Sequence, residues 1–211
     1  MTEEEGRERV QEFVQPGERL VTWCSFELGP GVPTPPESLL APPEPSGLQR
    51  RIEERLPGPL KQLAKARALD PRRSRPAAAA AAIDRMPDAV DALGTRLMHG
   101  KSMEGGWQSA AGHFVIGRAN ARGSVTGVLA VTDRRWFGLS DVSQLWQMTP
   151  VMKQYWEAPR SAVSALRANP TGVLQKGRMD IEFTDGSWVA VVASVPRNAA
   201  GFVAAAARFP R

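Results

Sequence analysis

Reactive side chains are scarce in this chain: of 211 residues, one is cysteine, two are histidine and one is tyrosine. A single Cys24 excludes an internal disulfide and a cysteine metal cluster, and beside Trp23 in an apolar run it reads as a small core residue. His99 and His113 stand in no metal-ligand spacing, so no metal site is expected. Ser140, His113 and Asp133 can be assembled into a Ser/His/Asp set on paper, but no nucleophile elbow accompanies them. Gly105, Gly106, Gly123 and Gly127 match neither the phosphate-loop nor the dinucleotide fingerprint. Carboxylates of the second half (Asp133, Asp141, Glu157, Asp180, Glu182, Asp185) are too sparse for paired acid and base work. No catalytic residue and no cofactor is therefore expected. Long apolar runs are absent as well, and no window approaches the roughly 18 residues of a membrane span. The start, Met-Thr-Glu-Glu-Glu-Gly-Arg, is acidic where a secretory signal would be basic and then apolar, so a cytoplasmic protein is expected. Lysine is rare beside arginine, 5 against 22, and alanine is abundant; this reads as the coding bias of a GC-rich bacterium.

What is present is alternation. From Val125 to Val192 apolar positions alternate between tight turns, the pattern of an antiparallel sheet. The best-defined piece runs from Met179 to Ala193 around Asp185-Gly186, a hairpin signal of the two-residue type. That loop pairs Phe183 with Trp188 and Ile181 with Ala190, giving a core face of Met179, Ile181, Phe183, Trp188, Ala190 and Val192. Val189 and Val191 then fall on the outer face, where they form a candidate partner surface. A second hairpin turns at Asp133-Arg134. Candidate strands number seven: 18 to 26, 112 to 118, 125 to 132, 135 to 140, 161 to 168, 178 to 184 and 187 to 193. Gln144 to Gln154 reads as a connection. After Pro196 the period changes: Val195, Ala199, Phe202, Ala206 and Phe209 draw one stripe on a terminal helix. Another short helix is expected over Glu3 to Gln15.

Between Pro30 and Pro59 lie 9 of the 18 prolines, which forbid regular ladders. Ser46-Gly-Leu-Gln49 has the form of a capping box and opens a leucine-striped helix. Residues 48 to 75 carry nine basic side chains against three acidic ones. A solvated helix docked on the sheet domain is the plain reading; the sharper one is contact with an anionic membrane or nucleic acid through Arg50, Arg51, Arg55, Lys61 and Lys65. The helical stripe continues from Ile83 to Leu97. The formal net charge of +5 is uneven: residues 111 to 211 hold 12 basic and 6 acidic side chains, net +6, whereas residues 1 to 110 hold 15 and 16, net −1. Three parts follow: 1–28, an N-terminal helix and first strand; 29–110, a proline-rich linker and basic helical insertion; and 111–211, the remaining sheet with its C-terminal helix.

The sheet portion resembles the bacterial PH-like (GRAM-like) domains common in actinobacterial proteins. The residues that carry this are Pro16-Gly-Glu-Arg-Leu-Val, Gly127-Val-Leu-Ala-Val-Thr-Asp-Arg-Arg135, Trp136-Phe-Gly-Leu, Pro159-Arg-Ser-Ala-Val-Ser-Ala-Leu166, Phe183-Thr-Asp-Gly-Ser and the terminal helix. The resemblance implies an α+β fold: a PH-like antiparallel β-barrel of about seven strands, capped by a C-terminal helix and interrupted by a helical, proline-rich insertion. Eukaryotic relatives of the fold bind phosphoinositides through basic residues near the loop joining the first two strands, and Arg118 and Arg122 occupy that place here. The strand that follows lacks the basic partner of the lipid-binding pattern, so the resemblance points to a non-enzymatic module for a protein partner or a scaffold. Peripheral binding to anionic membrane through the basic insertion is the alternative, and nucleic-acid binding by the same stretch the second.

Overall fold

The computed structural model describes residues 3–41, 101–121, 123–143, 150–169 and 175–208. In chain order these form α1 (Glu3–Gln11), β1 (Leu20–Leu28), a 3-10 turn (Glu37–Leu39), the two-residue β2 (Met103–Glu104), α2 (Ala110–Asn120), β3 (Gly127–Thr132), β4 (Arg135–Asp141), β5 (Met152–Pro159), a 3-10 turn (Arg160–Ala162), β6 (Val163–Ala168), β7 (Arg178–Phe183), β8 (Trp188–Ala193) and α3 (Asn198–Ala207). The strands make one antiparallel sheet in the order β5-β4-β3-β1-β8-β7-β6, with β2 also on β8. Its terminal strands, β5 and β6, are consecutive in sequence, and among the described residues no ladder joins them. The fold is thus α+β around an open sheet.

Both faces of the sheet centre are covered. On one, α2 and α3 pack Phe114, Val115, Ala199 and Phe202 against Phe26, Leu129, Trp136, Ile181 and Val189. On the other, Val10 of α1 with Phe13 and Val14 covers Val128, Ala130, Phe137 and Leu139. Every residue of β3 and nearly all of β4 is consequently buried. Continuous apolar runs such as Gly127-Val-Leu-Ala-Val are what strands buried on both faces require.

β8 joins the two halves of the chain. Its edge opposite β7 is shared: Phe26 to Leu28 of β1 pair with Ala193 to Val191, and Met103 and Glu104 pair with Val189 and Trp188. Ala190 lies at the junction, accepting from the Gly29 amide at 2.9 Å and donating its own to the Ser102 carbonyl at 2.8 Å. Departure and return of the chain around residues 30–101 therefore meet on one residue.

The last hairpin differs from expectation by one residue. Phe183 N–H donates to the Ser187 carbonyl and Gly186 N–H to the Phe183 carbonyl, so the loop has three residues and Glu182, not Phe183, faces Trp188. Gly186, at φ 81°, takes the left-handed position of a turn closed by a bulge. With a side-chain period of two, a slip of one residue exchanges the faces of β8. Val189 and Val191 are accordingly fully buried, while Trp188 is half-buried with its Nε1 donating to Glu104 Oε2 at 3.1 Å. The partner surface expected at Val189 and Val191 is core.

Two further expectations are corrected. Residues 112 to 118 are helical: Ala111, Phe114, Val115 and Arg118 recur at three, four and seven residues and are buried together. The N-terminus of α2 is secured by three side chains, with Ser109 Oγ accepting from Gly112, Asp185 Oδ2 from Ala110 at 2.8 Å and Ser187 Oγ from Ala111. The segment read as a connection contains the whole start of β5, which pairs with β4 from Asp141↔Met152 to Arg135↔Pro159. The N-terminal helix, the first strand, the Asp133-Arg134 turn and the terminal helix stand where the pattern places them.

Arg135 ties these elements together. It is 8% exposed on the α1 side of the sheet, its Nε donating to both oxygens of Glu18, Nη1 to Glu157 at 2.6 Å and Gln154 at 3.3 Å, and Nη2 to the Phe13 carbonyl at 2.8 Å. Arg135→Met leaves Glu18, whose side chain is 3% exposed, without its cation. Urea unfolding is expected to show a loss of about 3–5 kcal/mol, and Arg135→Lys to recover only a minor part, since an ammonium lacks the planar fork. Unchanged stability in Arg135→Met would show that the network is dispensable.

Asp185 yields a pH dependence. The hydrogen bonds it accepts, from the Ala110 amide first and the Ser187 hydroxyl next, hold its carboxyl below the ordinary range. A lowered folded-state pKa adds stability that is complete above the unfolded value of about 3.9 and is lost as pH falls through the folded one. Asp185→Ala is expected to cost about 1 kcal/mol near neutrality, with the gap from the parent closing in acid. Urea titrations at neutral pH and at about pH 3 check this; a gap of the same size at both rules out the cap.

Candidate functional site

The helical phase that buries Phe114 and Val115 also turns Arg118 inward, to 7% exposure. Burying a guanidinium is costly unless its donors find acceptors. Here the following loop supplies them: Nη2 donates to the carbonyls of Ser124 and Val125, and Nη1 reaches Ser140 Oγ at 3.4 Å. Nε has no hydrogen-bond partner. A Cβ at Gly127 would meet it at 3.2 Å, so the glycine lets the guanidinium lie close over β3.

Tyr155 lies beside Arg118, its ring centroid 5.7 Å from the guanidinium carbon. In the β4–β5 ladder Gly138 faces Trp156 and Leu139 faces Gln154, leaving Tyr155 as the extra residue of a bulge. The bulge brings the ring over Gly138, where a Cβ would come within 2.6 Å of it. The tyrosine hydroxyl is buried without a partner. Burial pushes its pKa up, against the opposing pull of the Arg118 charge.

These contacts shape the surface above them. The β1–β3 ladder stops at Phe26↔Gly127, because residues 124–126 turn toward Arg118, whereas Glu27 and Leu28 continue along β8. Between the diverging chains lies an open groove of about 330 Å³ lined by Glu27, Leu28, Arg118, Ala119, Ser124 and Val125. Val125 stands on its rim at 76% exposure, the highest of the large apolar side chains among the described residues. Thr126 Oγ1 donates to Glu27 Oε1 at 3.3 Å across the mouth. A wider depression of about 510 Å³ lies between α1 and β1, where Glu4 and Arg7 flank Trp23.

Arg118, singled out as an anion contact, is thus a buried clasp on its own loop. Arg122 lies outside the described residues, as do Arg50, Arg51, Arg55, Lys61 and Lys65. The paper triad does not assemble: Ser140 is fully buried under Arg118, His113 is on the exposed face of α2, and Asp133 accepts from the Arg19 amide at 2.9 Å in the β3–β4 turn. Cys24 is buried, which pushes its thiol up to about 11 and keeps it protonated. Among the described residues no three of His, Cys, Asp and Glu are grouped as metal ligands, and no helix is long and apolar enough to cross a membrane. Sequence reasoning missed Glu27, Leu28 and Ser124, and it placed Val125 inside a strand. The available signal was an isolated valine between Ser124 and Thr126, after a glycine.

Comparison with protein-family models, with curated proteins and with solved structures finds no match.

The clasp can be tested. Arg118→Leu fills the same interior with apolar volume but releases two carbonyls, so a loss of about 1–2 kcal/mol is expected. Amide exchange should accelerate most over residues 123–127, and a uniform increase across the sheet would show that Arg118 does not hold this loop.

Proposed function

We propose that the chain is a non-enzymatic binding module of the PH-like kind, and that it takes a protein partner at the groove between Glu27-Leu28 and residues 124–126. The observation that carries this reading is Val125: a large apolar side chain, 76% exposed, on a loop in which its own carbonyl and that of Ser124 before it are held by a buried arginine. A side chain presented on a pinned loop loses little freedom on binding, and this preorganisation favours a specific contact over a transient one. Leu28 and Ala119 extend the apolar surface behind it, and Glu27 and Ser124 give the polar rim usual at protein interfaces. The two other buried arginines of the described residues are occupied within the fold, Arg135 by Glu157 of β5 and Arg178 by Asp180 of its own strand, Gln175 and the Lys101 carbonyl.

Photo-crosslinking tests the reading. With benzoylphenylalanine in place of Val125, a discrete product is expected in cells that make the protein. The same group in place of Ala200, on the exposed face of α3, should give none. Ala119→Arg, which narrows the groove, should remove the product. Equal labelling from both positions, or none from either, rejects the groove as a binding site.

A further inference from the structure

We infer that the groove selects an extended peptide in which an apolar residue is adjacent to a basic one, an inference that rests on the binding role proposed above. β1 outruns its neighbour: beyond Phe26↔Gly127 it is paired only to β8, through Glu27↔Val192 and Leu28↔Val191. On the flank that faces residues 124–126, Glu27 and Leu28 therefore present strand backbone to which no strand is added among the described residues. Such an edge accepts an extended segment by main-chain hydrogen bonds, with side-chain pockets setting the preference.

The two walls differ in chemistry. Leu28, Ala119 and Val125 are apolar, whereas Glu27 is exposed and places a carboxylate at the mouth, hydrogen-bonded by the Thr126 hydroxyl. The other charged group of the lining, Arg118, is buried, and its Nη atoms are directed at carbonyls and Ser140. Among the described residues of the lining, the charge within a ligand's reach is accordingly negative. Successive side chains of an extended chain point to opposite faces, as those of Glu27 and Leu28 do. A partner residue that fills the apolar wall is thus followed or preceded by one that meets the Glu27 carboxylate, which favours lysine or arginine.

Three hexapeptide probes alternating valine–lysine, valine–glutamate and serine–lysine, titrated into the full chain at physiological salt and read by fluorescence anisotropy, test this. Saturable binding is expected for valine–lysine alone. Glu27→Lys should weaken it about five- to tenfold, the loss of an exposed attraction and its replacement by a repulsion, and Val125→Ser should weaken it as well. Binding of valine–glutamate as tight as valine–lysine, or unchanged valine–lysine affinity in Glu27→Lys, overturns the assignment. If no probe binds while the crosslink at position 125 still forms, the ligand chemistry is wrong and the binding role stands; if both fail, both are rejected.

Discussion

The contact on which the rest of the structure depends is the buried guanidinium of Arg135. Its acceptors come from the end of the N-terminal helical segment, the approach to β1, and β5, up to 122 positions away from it in sequence. The turn that precedes it belongs to the same assembly. Thr132 Oγ1 accepts from the amides of Arg134 and Arg135, and Arg160 donates to the Thr132 carbonyl and to the Ala206 carbonyl at the end of α3. One four-residue stretch, Thr-Asp-Arg-Arg, thereby fixes the first helix, an edge strand and the last helix. A buried ion pair adds little to stability beside apolar packing, but any misalignment that parts it leaves a charge in the interior. This makes the arrangement selective.

Arg118 obeys the same rule with a different solution. Its Nη groups are met by a hydroxyl and backbone carbonyls, not by carboxylates, so the cost of burying the charge is offset by bending a loop. That bend separates residues 124–126 from β1 and opens the groove. The same requirement, acceptors for a buried guanidinium, gives a structural hub on one face of the sheet and a surface feature at the margin of the other.

Much of the sheet was legible because local signals agreed. Leu20 to Phe26, the Asp133-Arg134 turn and the stripe Ala199, Phe202, Ala206 each combine the right period with the right breakers. α2 was not, because Phe114-Val-Ile invites a strand reading and two of the three side chains that start the helix, Asp185 and Ser187, lie some 75 positions away. β5 hid its identity in Lys153, Gln154 and Glu157, whose polarity reflects an edge position. The Asp-Gly pair marks the turn but not its length, and that single residue decides whether Val189 and Val191 are surface or core. At the site, the sequence shows the charge of Arg118; the helical phase that buries it, and the groove that its burial creates, follow only from tertiary structure.

The meeting of Gly29 and Ser102 on Ala190 has an architectural consequence. A strand that breaks off and resumes in line, with both ends held by one residue, leaves the sheet indifferent to how much chain passes between them. For an unstructured connection the closure entropy grows by only about 0.6 kcal/mol per doubling of length. This position is therefore a natural acceptor for grafted sequence, where a lineage or a designer can append new segments while the hydrogen-bonded frame remains unaltered.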